Sequence, residues 1–93
     1  MNELLERLKI DIGIIGSTTY DERLTSLLKV SKTAVEKWTR KSINIENDHD
    51  AELVIDYARW QWLTRREPTE MPRSLKYRLD CRLFEQEDEG SES

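Results

Sequence analysis

His49 and Cys81 are the side chains of this 93-residue chain best suited to proton transfer or nucleophilic attack, and the sequence holds one of each. A nucleophile or general base works only beside a positioned partner, and these two lie far apart in the chain. No nucleophile–base pair follows from them. Asp48, His49 and Asp50 offer metal-ligating types, but three consecutive residues cannot all point at one ion, whereas acids at a helix start are favoured by its dipole. They read as helix caps. Gly13 and Gly16 lack the spacing and the lysine of a phosphate-binding loop. A lone Cys81 can form neither an intramolecular disulfide nor a thiolate metal site, so it reads as a reduced cytoplasmic thiol packed as a small apolar residue. The expectation is a chain with no catalytic residue, no metal and no cofactor, and too small to hold a deep pocket.

Composition narrows the class further. Charged and hydrophobic residues each make up 37% of the chain, so the apolar ones must be gathered on particular faces if it is to fold. The length suits one compact domain. No apolar run approaches the ~20 residues that cross a bilayer, and no basic segment leads an apolar one at the N-terminus. The chain is therefore expected to be neither membrane-bound nor secreted by a signal peptide. Its net charge of −4 is concentrated in residues 85–93, which carry five acids and no base, while residues 1–84 hold 15 bases and 14 acids. That division suggests a single helical domain over 1–84 and a disordered acidic tail over 85–93. Near-neutrality of the domain also argues against a nucleic-acid binder.

Hydrophobic spacing predicts the elements that carry these residues. Leu4, Leu5, Leu8 and Ile12 share one helix face, with Asn2 as a candidate cap and Gly13 as a stop. Thr19 and Glu22 fit a capping box that opens a long helix, on which Tyr20, Leu24, Leu27, Leu28, Ala34, Val35 and Trp38 form a stripe with Ser31 in its middle. A polar connection over 42–48, anchored by Ile43 and Ile45, leads to a cap at Asn47 or Asp48. The next helix, from Ala51 to about Arg66, is apolar around most of its circumference and belongs at the centre of the fold. Trp60 and Trp62 point in nearly opposite directions on it, so a core position for one leaves the other facing a neighbouring helix or a second subunit. Pro68 is expected to end this helix and Pro72 to open a last one. There Leu75, Leu79 and Leu83 keep a helical period, although Tyr77 and Cys81 complete an alternation that also suits a strand. Helix is preferred because a single strand has no partner. The fold class is all-α, a small bundle of about four helices with a long second helix.

Three stretches carry a resemblance: Asp21-Glu22 at the start of the long helix with Val35-Glu36-Lys37-Trp38-Thr39-Arg40 at its end, the run from Tyr57 to Glu67, and Met71-Pro72-Arg73-Ser74-Leu75. Residues 3–83 resemble the head-tail connector (adaptor) proteins of tailed bacteriophages, though Arg40 stands where that family often has glycine after the threonine. The resemblance implies a virion structural protein, present in the host cytoplasm before assembly, that forms a ring of about a dozen copies with two complementary surfaces per subunit. Its partners would be the portal protein and a head-closure or tail-completion protein. DNA would pass through the channel without specific binding, and no membrane is involved. Trp60 and Trp62 are the candidate residues for the subunit contact. Arg78, Arg82, Leu83 and Phe84, with Arg73 and Lys76 on the same basic helix, are candidates for docking on the portal.

A second resemblance competes with the first. Leu24, Leu28, Val30, Ser31, Val35 and Trp38 are similar to a helix-turn-helix of the phage-repressor type, in which Lys32, Thr33 and Lys37 would approach DNA. Against it, Lys29 stands at the turn position usually given to glycine, and Thr25 where a small alanine is usual. The apolar stripe also runs in phase from Tyr20 to Trp38 as if no turn interrupted it. On a continuous helix Val30 falls outside the stripe, whereas a turn would bury it.

Overall fold

The computed structural model describes residues 2–14 and 16–85, and among these all regular structure is helical: α1 (Asn2–Ile12), α2 (Asp21–Thr39), α3 (Asp48–Leu63) and α4 (Arg73–Phe84). The side chain of Asn2, expected as a cap, and the acidic tail over 86–93 lie outside the described residues. The fold is thus a four-helix, all-α arrangement with a long second helix. α3 packs against each of the other three helices and α2 against α1 and α4, while α1 and α4 do not meet. The central place follows from α3's composition, since Ala51, Leu53, Val54, Ile55, Ala58 and Trp62 are all buried on different sides of it.

α1 is held by the spacing of its leucines, with Leu4 and Leu8 buried and Leu5 and Ile12 packed at the margin. It ends in a Schellman arrangement. The Ile14 N–H donates to Lys9 O at 2.8 Å, the Gly13 N–H donates to Ile10 O at 3.2 Å, and Gly13 takes φ +82. Lys9, buried at this end, places Nζ 2.8 Å from Asp21 Oδ1. The ammonium approaches outside hydrogen-bond directions, so the contact is an ion pair that ties the end of α1 to the start of α2.

α2 departs from expectation at both ends. The capping box of Thr19 and Glu22 does not form: Tyr20 is the N-cap, without a side-chain cap bond, and the Thr19 N–H turns back to Ser17 Oγ at 3.2 Å. The helix therefore starts one residue too late for Thr19 to cap it, with Tyr20 drawn onto Trp62. Along its length the stripe holds: Leu24, Leu28, Ser31 and Val35 are buried, and Val30 is 63% exposed. α2 runs unbroken through Lys29, so the turn that the repressor-like reading requires is not there. Past Thr39 the chain turns with Arg40 at φ 58 and ψ 34, its N–H donating to Glu36 O. This left-handed position suits glycine, and a side chain there costs on the order of 1 kcal/mol.

The connection to α3 is organised by two carboxylates. Glu36 accepts from Ile43 N–H and from Lys32 Nζ, each at 3.0 Å, while Asp50 Oδ2 accepts from Asn44 N–H at 3.1 Å. Ile43 is buried beneath them, with Ile45 at its margin. Asn47 caps α3 by accepting from His49 N–H and Asp50 N–H. The helix thus begins three residues before the expected Ala51. It also stops at Leu63 rather than near Arg66: Trp60 O keeps its helical bond from the Thr64 N–H at 3.1 Å and accepts Thr64 Oγ1 at 2.9 Å besides, while Trp62 O accepts from the Arg65 N–H at 3.3 Å and from Arg65 Nη1 at 2.5 Å. Pro68 lies beyond this end.

α4 follows the four-residue period and not the strand alternation, with Leu75 and Leu79 buried, Leu83 half-buried and Tyr77 and Cys81 exposed. Pro72 precedes the helix as its N-cap residue. Cys81 therefore does not pack as a core residue: the period that buries Leu79 turns it outward.

Two stability predictions follow. Arg40→Gly should raise the unfolding free energy by about 0.5–1 kcal/mol, read from urea midpoints, because it removes the left-handed penalty at a modest entropy cost. Unchanged or lower stability would show that Arg40 is held there by compensating contacts. The hydrogen bond from Ile43 N–H, and then Lys32, hold the Glu36 carboxyl below its ordinary value of 4.5. Its contribution is thus present above the unfolded-state value and is lost as pH falls through the folded one. Glu36→Gln should unfold earlier than the parent at pH 6, and the gap should narrow as pH is lowered through the acid range, followed by thermal melts at successive pH values.

Candidate functional surfaces

α2 and α3 run antiparallel, so the first turn of α2 meets the last turns of α3 in an open groove of about 930 Å³. Its apolar wall is made by Tyr20, Leu27, Val30, Trp60 and Trp62. Arg23, Arg65 and Arg66 add positive charge, and no acid among the described residues lines it. Trp62, 6% exposed, forms the floor: Tyr20 stacks on it edge-on at 5.5 Å and the Arg65 guanidinium lies 3.8 Å from its ring centre. Arg65 is thus folded back on its own helix, while Arg23 and Arg66 are exposed and form no ion pair with any described residue.

The two tryptophans diverge as their spacing requires. Trp62 is covered by this chain's own Tyr20 and Arg65, so it is not available as an exposed anchor for a second subunit. Trp60 is half-buried against Tyr57, with ring centres 5.4 Å apart, and its indole N–H is enclosed without a hydrogen-bond partner among the described residues. Its ring separates the large groove from a smaller one of about 330 Å³, where α3 meets α4 near Leu63, Pro72 and Leu75. Of the two, only Trp60 remains open to an incoming group.

α4 divides the remaining candidates into two sets. Arg78 pairs with Asp56, and Arg82 Nε lies 3.2 Å from Asp50 Oδ1 while its Nη1 donates to Glu85 at 2.7 Å. These two arginines fasten α4 to α3 and are not free to serve a partner. On α4's opposite edge the Trp38 indole donates to Asp80 Oδ1 at 2.9 Å, and Lys41 Nζ donates to the Leu83 carbonyl at 2.8 Å. Those bonds fix α2 to α4 and leave Leu83 half-buried. Outward stand Tyr77, 69% exposed, Cys81, and Phe84, 79% exposed, on one face at spacings of four and three residues. The Tyr77 hydroxyl is held above its ordinary value by hydrogen bonding to the adjacent Cys81 and by its charge. Arg73 and Lys76 are exposed near the start of the same helix. The sequence named Phe84 but not Tyr77; the i, i+4, i+7 spacing of Tyr77, Cys81 and Phe84 was the signal that could have found this face.

His49 is exposed at the start of α3 and Cys81 is exposed on α4, with no hydrogen bond between their side chains among the described residues, and among those residues no group of three His, Cys, Asp or Glu side chains is placed to hold a metal. No described helix is long and apolar enough to cross a membrane. Comparison with models of known protein families, with curated proteins and with solved structures finds no match.

The tryptophans should separate in mutagenesis. Trp62→Ala should cost about 3–5 kcal/mol, since it empties a buried site and removes the surface on which Tyr20 and Arg65 rest. Trp60→Phe should cost under about 1 kcal/mol, because the donor it deletes has no partner. Equal losses in chemical unfolding would mean that Trp60 is as much a part of the core as Trp62.

Proposed function

We propose that this chain is a structural subunit of the head-tail connector ring of a tailed bacteriophage, without catalytic activity, that attaches below the portal and extends the DNA channel toward the tail. One observation carries the reading: a helix fixed by four side-chain bonds on its inner edges presents two large exposed aromatics, Tyr77 and Phe84, which no described residue covers. Isolated exposed apolar side chains are ordinary, but two on one face of a pinned helix suit a protein contact. The resemblance of residues 3–83 to connector proteins gives that contact its identity. The chain also offers a second surface of different chemistry, the aromatic and basic groove between α2 and α3. Two unlike surfaces on one subunit are what a ring closed by rotation requires.

In this reading the aromatic face of α4, with Arg73 and Lys76 at its start, docks on the portal, and the groove faces the neighbouring subunit. Arg78 and Arg82 serve the docking indirectly by fixing α4's position. The net charge of −4 suits a channel component that DNA passes without adhering.

The test is capture of the purified protein by the portal and head-closure proteins encoded near it, with a duplex-DNA titration at two salt concentrations. The parent should bind portal and show no salt-sensitive DNA affinity. Tyr77→Ser/Phe84→Ser should lose portal capture at least about tenfold while keeping its melting temperature, because both side chains are exposed in the free subunit. Salt-sensitive, sequence-selective DNA binding without portal capture would replace this reading with a regulatory one.

A further inference from the structure

The groove between α2 and α3 and the acidic end of the chain are complementary in charge, and α4 ends at the side of the fold remote from the groove. Arg23 and Arg66 stand exposed at the groove without an ion-pair partner among the described residues, none of which lines it with a carboxylate. Beyond Glu85 the sequence places Glu87, Asp88, Glu89 and Glu92 with no base among them.

Their separation follows from the direction of α4. Arg82 beside Asp50 and Arg78 beside Asp56 set α4 antiparallel to α3, so that Glu85 lies by the start of α3 while the groove lies at its far end. From Asp50 to Arg65 the rise is about 22 Å at 1.5 Å per residue. A fully extended chain carries Asp88 only about 10 Å and Glu89 about 14 Å from Glu85. Glu87 and Asp88 therefore fall short of the groove of their own subunit, and Glu89 and Glu92 could span the distance only with the segment fully extended, whereas the groove of an adjacent copy is under no such limit.

We infer that the acidic segment Glu87–Ser93 of one copy docks in the Arg23/Arg66 groove of the next, against Tyr20, Val30 and Trp60, and so forms a head-to-tail contact between subunits. The inference deepens the ring reading and rests on it for the identity of the occupant. Carboxylates pair with the two free guanidiniums, and the chain's backbone lies along the aromatic wall. A nucleic-acid strand also carries negative charge. The tail is favoured because two free arginines are few for a phosphate backbone, and because every subunit of an assembly brings its own tail beside its neighbour's groove at high effective concentration.

The full-length protein, labelled with ¹⁵N, provides the test through the indole N–H signals of Trp60 and Trp62. On raising protein concentration, the Trp60 signal should shift, because the contact is between copies, and the shift should collapse at ~1 M salt, where the screening length is ~3 Å. Arg23→Glu/Arg66→Glu should weaken the concentration dependence about tenfold, as should Glu87→Lys/Asp88→Lys/Glu89→Lys. Mixing the two variants should restore it, since the tail variant brings an unaltered groove and the groove variant an unaltered tail. Shifts independent of concentration, a tail variant that behaves as the parent, or shifts produced only by added single-stranded DNA would each overturn the proposal. Portal capture by the same proteins separates the two readings: capture without tail-dependent shifts refutes the tail contact and leaves the ring, and tail-dependent shifts without capture do the reverse.

Discussion

Asp50, a carboxylate only 4% exposed, decides how the rest of this fold is arranged. A buried charge is unfavourable unless its partners are in place, and Asp50 has one nearby, the Asn44 N–H ahead of α3, and one from far along the chain, the Arg82 guanidinium on α4. α4 needs this tie because it fully buries only Leu75 and Leu79, worth roughly 1.5–3 kcal/mol each, a weak hold for twelve residues. The Arg78–Asp56 pair is more exposed and contributes less. Leucines at a four-residue spacing press α4 against the bundle but tolerate sliding by a turn. The carboxylate at Asp50 selects one register and one direction, and from that choice follow the outward aromatics and the location of Glu85.

The helices were legible in the sequence because apolar spacing is a local property. The stripe of α2, the nearly all-round apolarity of α3 and the four-residue period of α4 survive into the structure as buried side chains. The ends were less legible, because tertiary contacts set them. Thr19 does not cap α2 once Tyr20 leans on Trp62, and α3 stops at Leu63, where Thr64 and Arg65 reach its last carbonyls. Lys9, which no spacing or motif singles out, is buried beside Asp21, a contact that depends on how the Gly13 turn returns the chain. Arg40 lies where a glycine would be natural, and no spacing rule announces a strained arginine.

The candidate surfaces were legible only in part, for a related reason. That Trp60 and Trp62 diverge follows from helix geometry, but which of them is covered depends on where Tyr20 and Arg65 fall. The basic residues of α4 look alike in sequence, yet the structure divides them into a pair engaged with Asp50 and Asp56 and a pair left exposed. Charge on a helix identifies a possible partner's sign without saying whether that partner is already in the same chain.

The internal ion pairs and the unequal outer surfaces are two consequences of one geometry. Because Asp50 and Asp56 draw α4 antiparallel to α3, they consume two of its arginines internally and place Glu85 toward the end of the subunit remote from Arg23 and Arg66. A parallel course would have ended α4 beside those arginines. The antiparallel one gives a small domain of balanced charge unlike ends, and unlike ends suit heterologous contacts, which make a ring if the rotation closes and a filament if it does not.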